Sequence, residues 1–132
     1  MTTIHLYIGL PGSGKTYRAK KAFESFGGII LDDDFDPKAI QAAIDEKPNH
    51  IYITHPHLCF EDTRTNLISF LHKQNIRDIK LYCFENDVEK AWTLIKGRSD
   101  GRLISKDALK DVFSRGYTYP AGVEIIPIWN PE

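Results

Sequence analysis

Apolar residues in this chain fall into short runs, separated by longer segments in which they recur every three to four positions. Ile4-His5-Leu6-Tyr7-Ile8 reads as a short strand of β-forming residues. Thr16 to Phe23 follows as a helix, with Ala19, Ala22 and Phe23 on one face and basic residues elsewhere. Gly27-Gly28 breaks the chain, and Ile29-Ile30-Leu31 is a continuous apolar strand of the kind found when both sheet faces are covered. It runs into Asp32-Asp33-Asp34-Phe35-Asp36. Pro37 suits the first turn of a second helix, which continues through Ala39, Ile40, Ala43 and Ile44 until Pro48-Asn49. Ile51-Tyr52-Ile53-Thr54 is the next strand, followed by a polar loop, His55-Pro56-His57. Glu61 to Gln74 is the clearest amphipathic helix, with Leu67, Phe70 and Leu71 as its stripe. Lys80 to Phe84 is a fourth strand, and Val88 to Lys96 a helix with Ala91, Trp92 and Ile95 inward. Ser105 caps a short helix reaching Phe113. Val123 to Ile128 is the last strand, and Pro127 puts it at a sheet edge.

Strands alternating with helices specify an α/β fold: about five parallel strands, with helices on both faces. At 132 residues the chain is expected to be a single domain, 1–132. Ligands in such sheets bind outside the carboxyl ends of the strands. The segments after the first, second and third strands should therefore line one crevice.

The segment after the first strand is Gly9-Leu10-Pro11-Gly12-Ser13-Gly14-Lys15-Thr16, in which Gly9 is followed after four residues by Gly-Lys-Thr. This is the phosphate-binding loop, or P-loop, pattern, and each residue type has a reason. Backbone N–H groups turned inward onto phosphate need angles that Gly reaches without steric cost. Gly12, Ser13, Gly14, Lys15 and Thr16 are thus the expected nucleotide-binding residues. Lys15 supplies an ammonium to the β- and γ-phosphates, and the Thr16 hydroxyl a ligand for Mg²⁺. The following helix directs its positive dipole end to the same place. ATP or another nucleoside triphosphate, with Mg²⁺, is the expected ligand.

Charge narrows the partners. The net charge is −1 and the pI about 6.5, against a protein that coats nucleic acid through bulk basicity. Cys59 and Cys83 are isolated and lack metal-ligand spacing, so both are expected reduced, in a cytoplasmic protein. No segment is long enough to span a bilayer, so no membrane partner is expected, and an oligomer is left open.

Phosphoryl transfer needs a proton acceptor and cations besides the loop. The Asp32–Asp34 run, at the ligand end of the second strand, offers the base. Asp36 is placed to cap the helix that starts at Pro37. Arg98 and Arg102, four residues apart, could bridge phosphate oxygens from a short basic lid. Between Lys96 and Arg115 six basic residues face Asp100, Asp107 and Asp111, a local excess also compatible with a solvated face.

With these residues in view, the chain resembles the kinase domain of bacteriophage polynucleotide 5′-kinase, within the small P-loop kinases. The resemblance spans nearly the whole chain and rests on the loop, on Asp33-Asp34-Phe35, on Arg98 with Arg102, and on Tyr119-Pro120 before the last strand. It implies Asp33 as general base, Arg98 and Arg102 as lid arginines on the nucleotide, and Arg102 as the one stabilising the transferring phosphoryl group. Lys15, Asp33 and Arg102 are then the catalytic residues. Two positions differ from the family pattern: Asp36 stands where an acceptor-binding Arg is usual, and Thr54-His55 where the third strand usually ends in Asp. Asp34, His55 and His57 are the candidate acceptor-site residues.

The expected activity is ATP-dependent transfer of the γ-phosphoryl group to a hydroxyl. The resemblance points to a nucleic-acid 5′-hydroxyl or a hydroxyl on a modified DNA base. A nucleoside or other small alcohol, and a non-catalytic nucleotide-binding module, are the alternatives. No Asn-Lys-x-Asp guanine motif is present.

Overall fold

Strands β1 (Thr3–Ile8), β2 (Ile29–Asp32), β3 (His50–Thr54), β4 (Ile79–Phe84) and β5 (Ile125–Ile126) form one sheet in the order β2-β3-β1-β4-β5. Every neighbouring pair is parallel. This is a computed structural model, describing residues 1–34, 36–96 and 104–128. Helices α1 (Lys15–Phe26), α2 (Pro37–Asp45), α3 (Glu61–Lys73) and α4 (Val88–Lys96) connect the strands. A short α5 (Lys106–Ala108) continues as a π-helical stretch, Leu109–Ser114. The α/β architecture expected from the sequence is the observed one.

The strand alternation sorts side chains onto two faces. Ile4, Leu6 and Ile8 of β1 join Ile51, Ile53 and Cys83 in an aliphatic layer covered by Ile40, Ala43, Leu67, Leu71 and Ala91 from α2, α3 and α4. Tyr7 and Tyr52, with the half-buried Ile30 and Tyr82, meet Ala19, Ala22 and Phe23 of α1 on the other face. Burying each large aliphatic side chain contributes about 1.5–3 kcal/mol, so the first layer holds most of the apolar stabilisation.

Two polar anchors tie the distal segments to this frame. Arg64 of α3 is buried, yet its guanidinium donates to the carbonyl oxygens of Leu58 (3.0 Å) and Cys59 (2.7 Å) and to Thr118 Oγ1 (2.9 Å). Those bonds offset the desolvation of the charge. The Tyr117 hydroxyl reaches the carbonyl oxygens of Phe84 (2.6 Å) and Ile8 (3.3 Å), at the carboxyl ends of β4 and β1.

Several boundaries differ from the sequence reading. The last strand is two residues long, not Val123 to Ile128. Pro127 has no N–H for the ladder, and the Ile128 N–H donates to Glu85 Oε1 at 2.9 Å instead. β5 is nonetheless an edge strand, as Pro127 requires. The His55–His57 loop is a 3₁₀ turn, Pro56–Cys59. Ser105 caps α5 as expected, accepting the Ala108 N–H at 3.0 Å, but most of the following segment is π-helical. Cys59 and Cys83 are both buried and free. Among the described residues no helix is long and apolar enough to cross a membrane.

Candidate active site

The P-loop leaves β1 and enters α1 at the point where successive connections go to opposite sides, β3 on one and β4 on the other. Gly14 caps α1 with φ +95°, in the left-handed region, and a Cβ there would meet nothing. Backbone angle, not space, calls for Gly14. At Gly12 both constraints act: φ is +84°, and a Cβ would lie 2.8 Å from the Ala91 carbonyl oxygen.

A cavity of about 340 Å³ opens onto this loop, lined by Gly12, Gly14, Lys15, Thr16 and Asp33, with Ile95, Ile104 and Phe113 as an apolar wall. The structure thus brings together five of the residues named from the sequence. Lys15 is buried, and its ammonium donates to the carbonyl oxygens of Gly9 (2.8 Å) and Leu10 (3.0 Å). Ser13 stands apart from the cavity lining. Its N–H donates to the Leu10 carbonyl at 3.1 Å, and its buried hydroxyl has no hydrogen-bond partner among the described residues.

The acidic run divides by position. Asp32 lies opposite Thr54 in the β2–β3 register. Its Oδ1 accepts the hydroxyls of Thr16 (2.8 Å) and Thr54 (2.7 Å). Thr54 in turn accepts the Asp33 N–H at 3.0 Å. Asp33 turns the chain sharply at φ 55°, a left-handed angle that Asp tolerates better than most residues, and lines the cavity. Asp34 is exposed, and its Oδ1 accepts the Asp36 N–H at 3.2 Å. Asp36 caps α2 by accepting the Lys38 N–H at 2.9 Å, as anticipated.

Sequence reasoning did not single out Asp32 within the acidic run, yet it is the carboxylate bonded to Thr16. β3 ends in Thr54, and the neighbouring strand β2 ends in a carboxylate, Asp32, to which Thr54 is bonded. The signal was that parallel strands ending in Leu-Asp and Ile-Thr place the two polar residues side by side.

His55 Nδ1 accepts the His57 N–H at 3.1 Å, which caps the 3₁₀ turn. Burial, then the electrostatic interaction with His57, lowers the His55 pKa to about 4, while Asp33 raises it. His55 is therefore neutral at pH 7, near the Asp33 carboxylate. His57 is exposed, its ring stacked toward Phe113 at 6.2 Å. Arg98 and Arg102, the sequence-derived lid arginines, lie outside the described residues; Ile95 and Ile104, on either side of that stretch, line the cavity wall. Of the remaining basic residues there, Lys106 pairs with Glu89 of α4 at 2.8 Å.

Among solved structures, a gluconokinase from Sinorhizobium meliloti 1021 matches with a TM-score of 0.68 at 15% identity, over 98% of this chain and 84% of that one. The chain has the fold of a small P-loop kinase. No family model and no curated protein sequence matches it. Within the small P-loop kinase fold, the P-loop and the ends of β2 and β3 surround the one cavity just described.

Proposed function

We propose that the chain is an ATP-dependent kinase that transfers the γ-phosphoryl group to a hydroxyl. The observation that carries this reading is the convergence of Lys15, Thr16 and Asp33 on one cavity, with Asp32 directly behind Thr16.

Each residue has chemistry that suits the task. Lys15 is held by two loop carbonyls, and a side-chain rotation exchanges them for phosphate oxygens. Thr16 gives its proton to Asp32, which leaves its oxygen lone pairs for a cation. That donor set fits Mg²⁺, which when bound supplies charge neutralisation on the phosphates. Asp33 takes the acceptor's proton, with the neutral His55 close by. Arg98 and Arg102 keep the phosphate-binding roles implied by the resemblance.

Two acceptor classes each have support. The Asp33-Asp34-Phe35 resemblance favours a nucleic-acid hydroxyl. The gluconokinase neighbour favours a small alcohol, and so does Asp36, which caps α2 where an acceptor-binding cation is usual. The non-catalytic alternative drew on the missing carboxylate of β3; the Asp32 carboxylate bonded to Thr16 supports the catalytic reading instead.

The test is transfer of labelled γ-phosphate from ATP to 5′-hydroxyl oligonucleotides, hydroxymethylated DNA, nucleosides and gluconate. Transfer to one class, abolished in Lys15→Ala and strongly reduced in Asp33→Asn with nucleotide binding retained, is the expected result. Nucleotide binding with no transfer to any acceptor would return the chain to a binding module. Loss in Asp34→Asn with Asp33→Asn spared would move the base by one residue.

A further inference from the structure

On the sheet face opposite α2, α3 and α4, helix α1 lies over β1, β2 and β3. Between α1 and β4 runs a groove of about 470 Å³, separate from the P-loop cavity. Tyr7 and Tyr82 line it from the strands, their rings stacked at 4.7 Å and 14°. Tyr17, Arg18, Lys21 and Phe26 line it from the helix. Tyr17 and Phe26 are 62% and 71% exposed, unusual for rings of this size on a soluble helix. The Lys21 ammonium lies 5.4 Å from the Tyr17 ring centroid, and the Arg18 charge is felt at both the Tyr7 and Tyr82 hydroxyls. No carboxylate is among the described residues that line the groove. Asp78, the acid that acts on Tyr82, accepts the Thr3 hydroxyl at 2.6 Å.

We propose that this groove binds a segment of single-stranded nucleic acid, its bases stacking on Tyr17 and Phe26 and its phosphates pairing with Arg18 and Lys21. Flat, exposed rings interleaved with cations are what an unpaired strand requires, because every base offers a π-face and every linkage an anion. A duplex keeps its bases stacked inside and leaves the rings without partners. A second copy docking symmetrically would bring like cations together, with no carboxylate among the described lining residues to meet them. The inference goes beyond the kinase reading and does not depend on it, since binding is measured without ATP or Mg²⁺.

The probe is a fluorescein-labelled oligothymidylate of about twelve nucleotides, followed by anisotropy between about 50 and 200 mM KCl. Replacing both Arg18 and Lys21 with Ala should lower the slope of log affinity against log salt by about 1.4, two phosphate contacts at about 0.7 each. Tyr17→Ala and Phe26→Ala should each weaken binding roughly tenfold with the salt slope unchanged, and Tyr17→Phe should bind as the parent does. All four side chains are exposed, so the variants should keep the parent circular dichroism. Unchanged affinity and slope in the Arg18/Lys21 variant overturns the proposal. So does competition by polyglutamate equal to that by unlabelled oligonucleotide, or self-association of the parent that the same substitutions abolish.

Discussion

Along β1 the side chains alternate between two environments. Ile4, Leu6 and Ile8 enter an aliphatic layer under α2, α3 and α4, whereas His5 and Tyr7 meet His50, Tyr52 and Tyr82 on the side of α1. The first layer is held by close packing without direction. The second is directional: His5 Nδ1 pairs with the Tyr82 hydroxyl at 2.8 Å, its Nε2 with His50 Nδ1 at 3.0 Å, and its ring stacks on Tyr52 at 4.8 Å. Stability therefore concentrates on one face, and groups that titrate or stack on the other. Both faces end at the rim where the P-loop stands, so chemistry at the rim should be separable from packing beneath it.

Lys15→Ala is the strongest test of that separation. Transfer should fall by at least roughly 10² to 10³, the range seen when one preorganised charge-stabilising donor is removed. The cost in stability should be about 1–3 kcal/mol, for the two bonds to the Gly9 and Leu10 carbonyls. Turnover assays alongside urea denaturation measure both quantities. Parent-like turnover would remove the kinase reading, and a collapse of stability would show that rim and core are one unit.

Leu6→Ala probes the aliphatic face. Leu6 is fully buried in the sheet's central strand, and its truncation should cost about 2–5 kcal/mol in urea denaturation. A loss below about 1 kcal/mol would mean that the layers on this face close around the gap, and that the contrast between the faces is weaker than drawn.

The elements were legible because periodicity is local, and the P-loop because its spacing is rigid. What escaped depends on distant residues. Asp32 acquires its role from Thr54, 22 positions away, through strand register. No local pattern marks Arg64 of α3 for burial, and only the fold supplies the Leu58, Cys59 and Thr118 acceptors that let it be buried. The last strand is shortened by Pro127 and by Glu85, which captures the Ile128 N–H from a different strand end. His55, weighed as a phosphate or acceptor contact, has its Nδ1 engaged in capping its own turn. Asp33 reaches the cavity as expected, through a left-handed turn that no periodicity reveals.

The titratable face predicts a pH dependence of moderate size. Burial, helped by His50 and Lys80 and opposed by Asp78, lowers the His5 pKa from 6.5 to about 4. The unfolded chain then takes up its proton first as pH falls. The stability due to neutral His5 is thus complete above pH 6.5 and is lost progressively toward pH 4. The slope is at most about 1.4 kcal/mol per pH unit, and His55, lowered in the same direction, adds a smaller part because it is only half-buried. Urea midpoints at pH 7 and pH 5 should show the loss, and His5→Gln should flatten it. A variant as steep as the parent would place the titration away from the α1 face.

The smallest effect is expected at Tyr17, where the two faces are compared most directly. Tyr17 is 62% exposed on α1, and the Lys21 ammonium over its ring is a contact worth about 0.5–1 kcal/mol at an exposed site. Ala is also the better helix former, which offsets part of that loss. Tyr17→Ala should therefore change unfolding free energy by no more than about 0.5 kcal/mol, while Leu6→Ala, buried in the opposite layer, changes it several times more. Paired urea curves under one buffer condition decide the matter. A Tyr17→Ala loss above about 1 kcal/mol would show that the outer surface of α1 supports the fold, so that exposed rings there need no ligand to explain them.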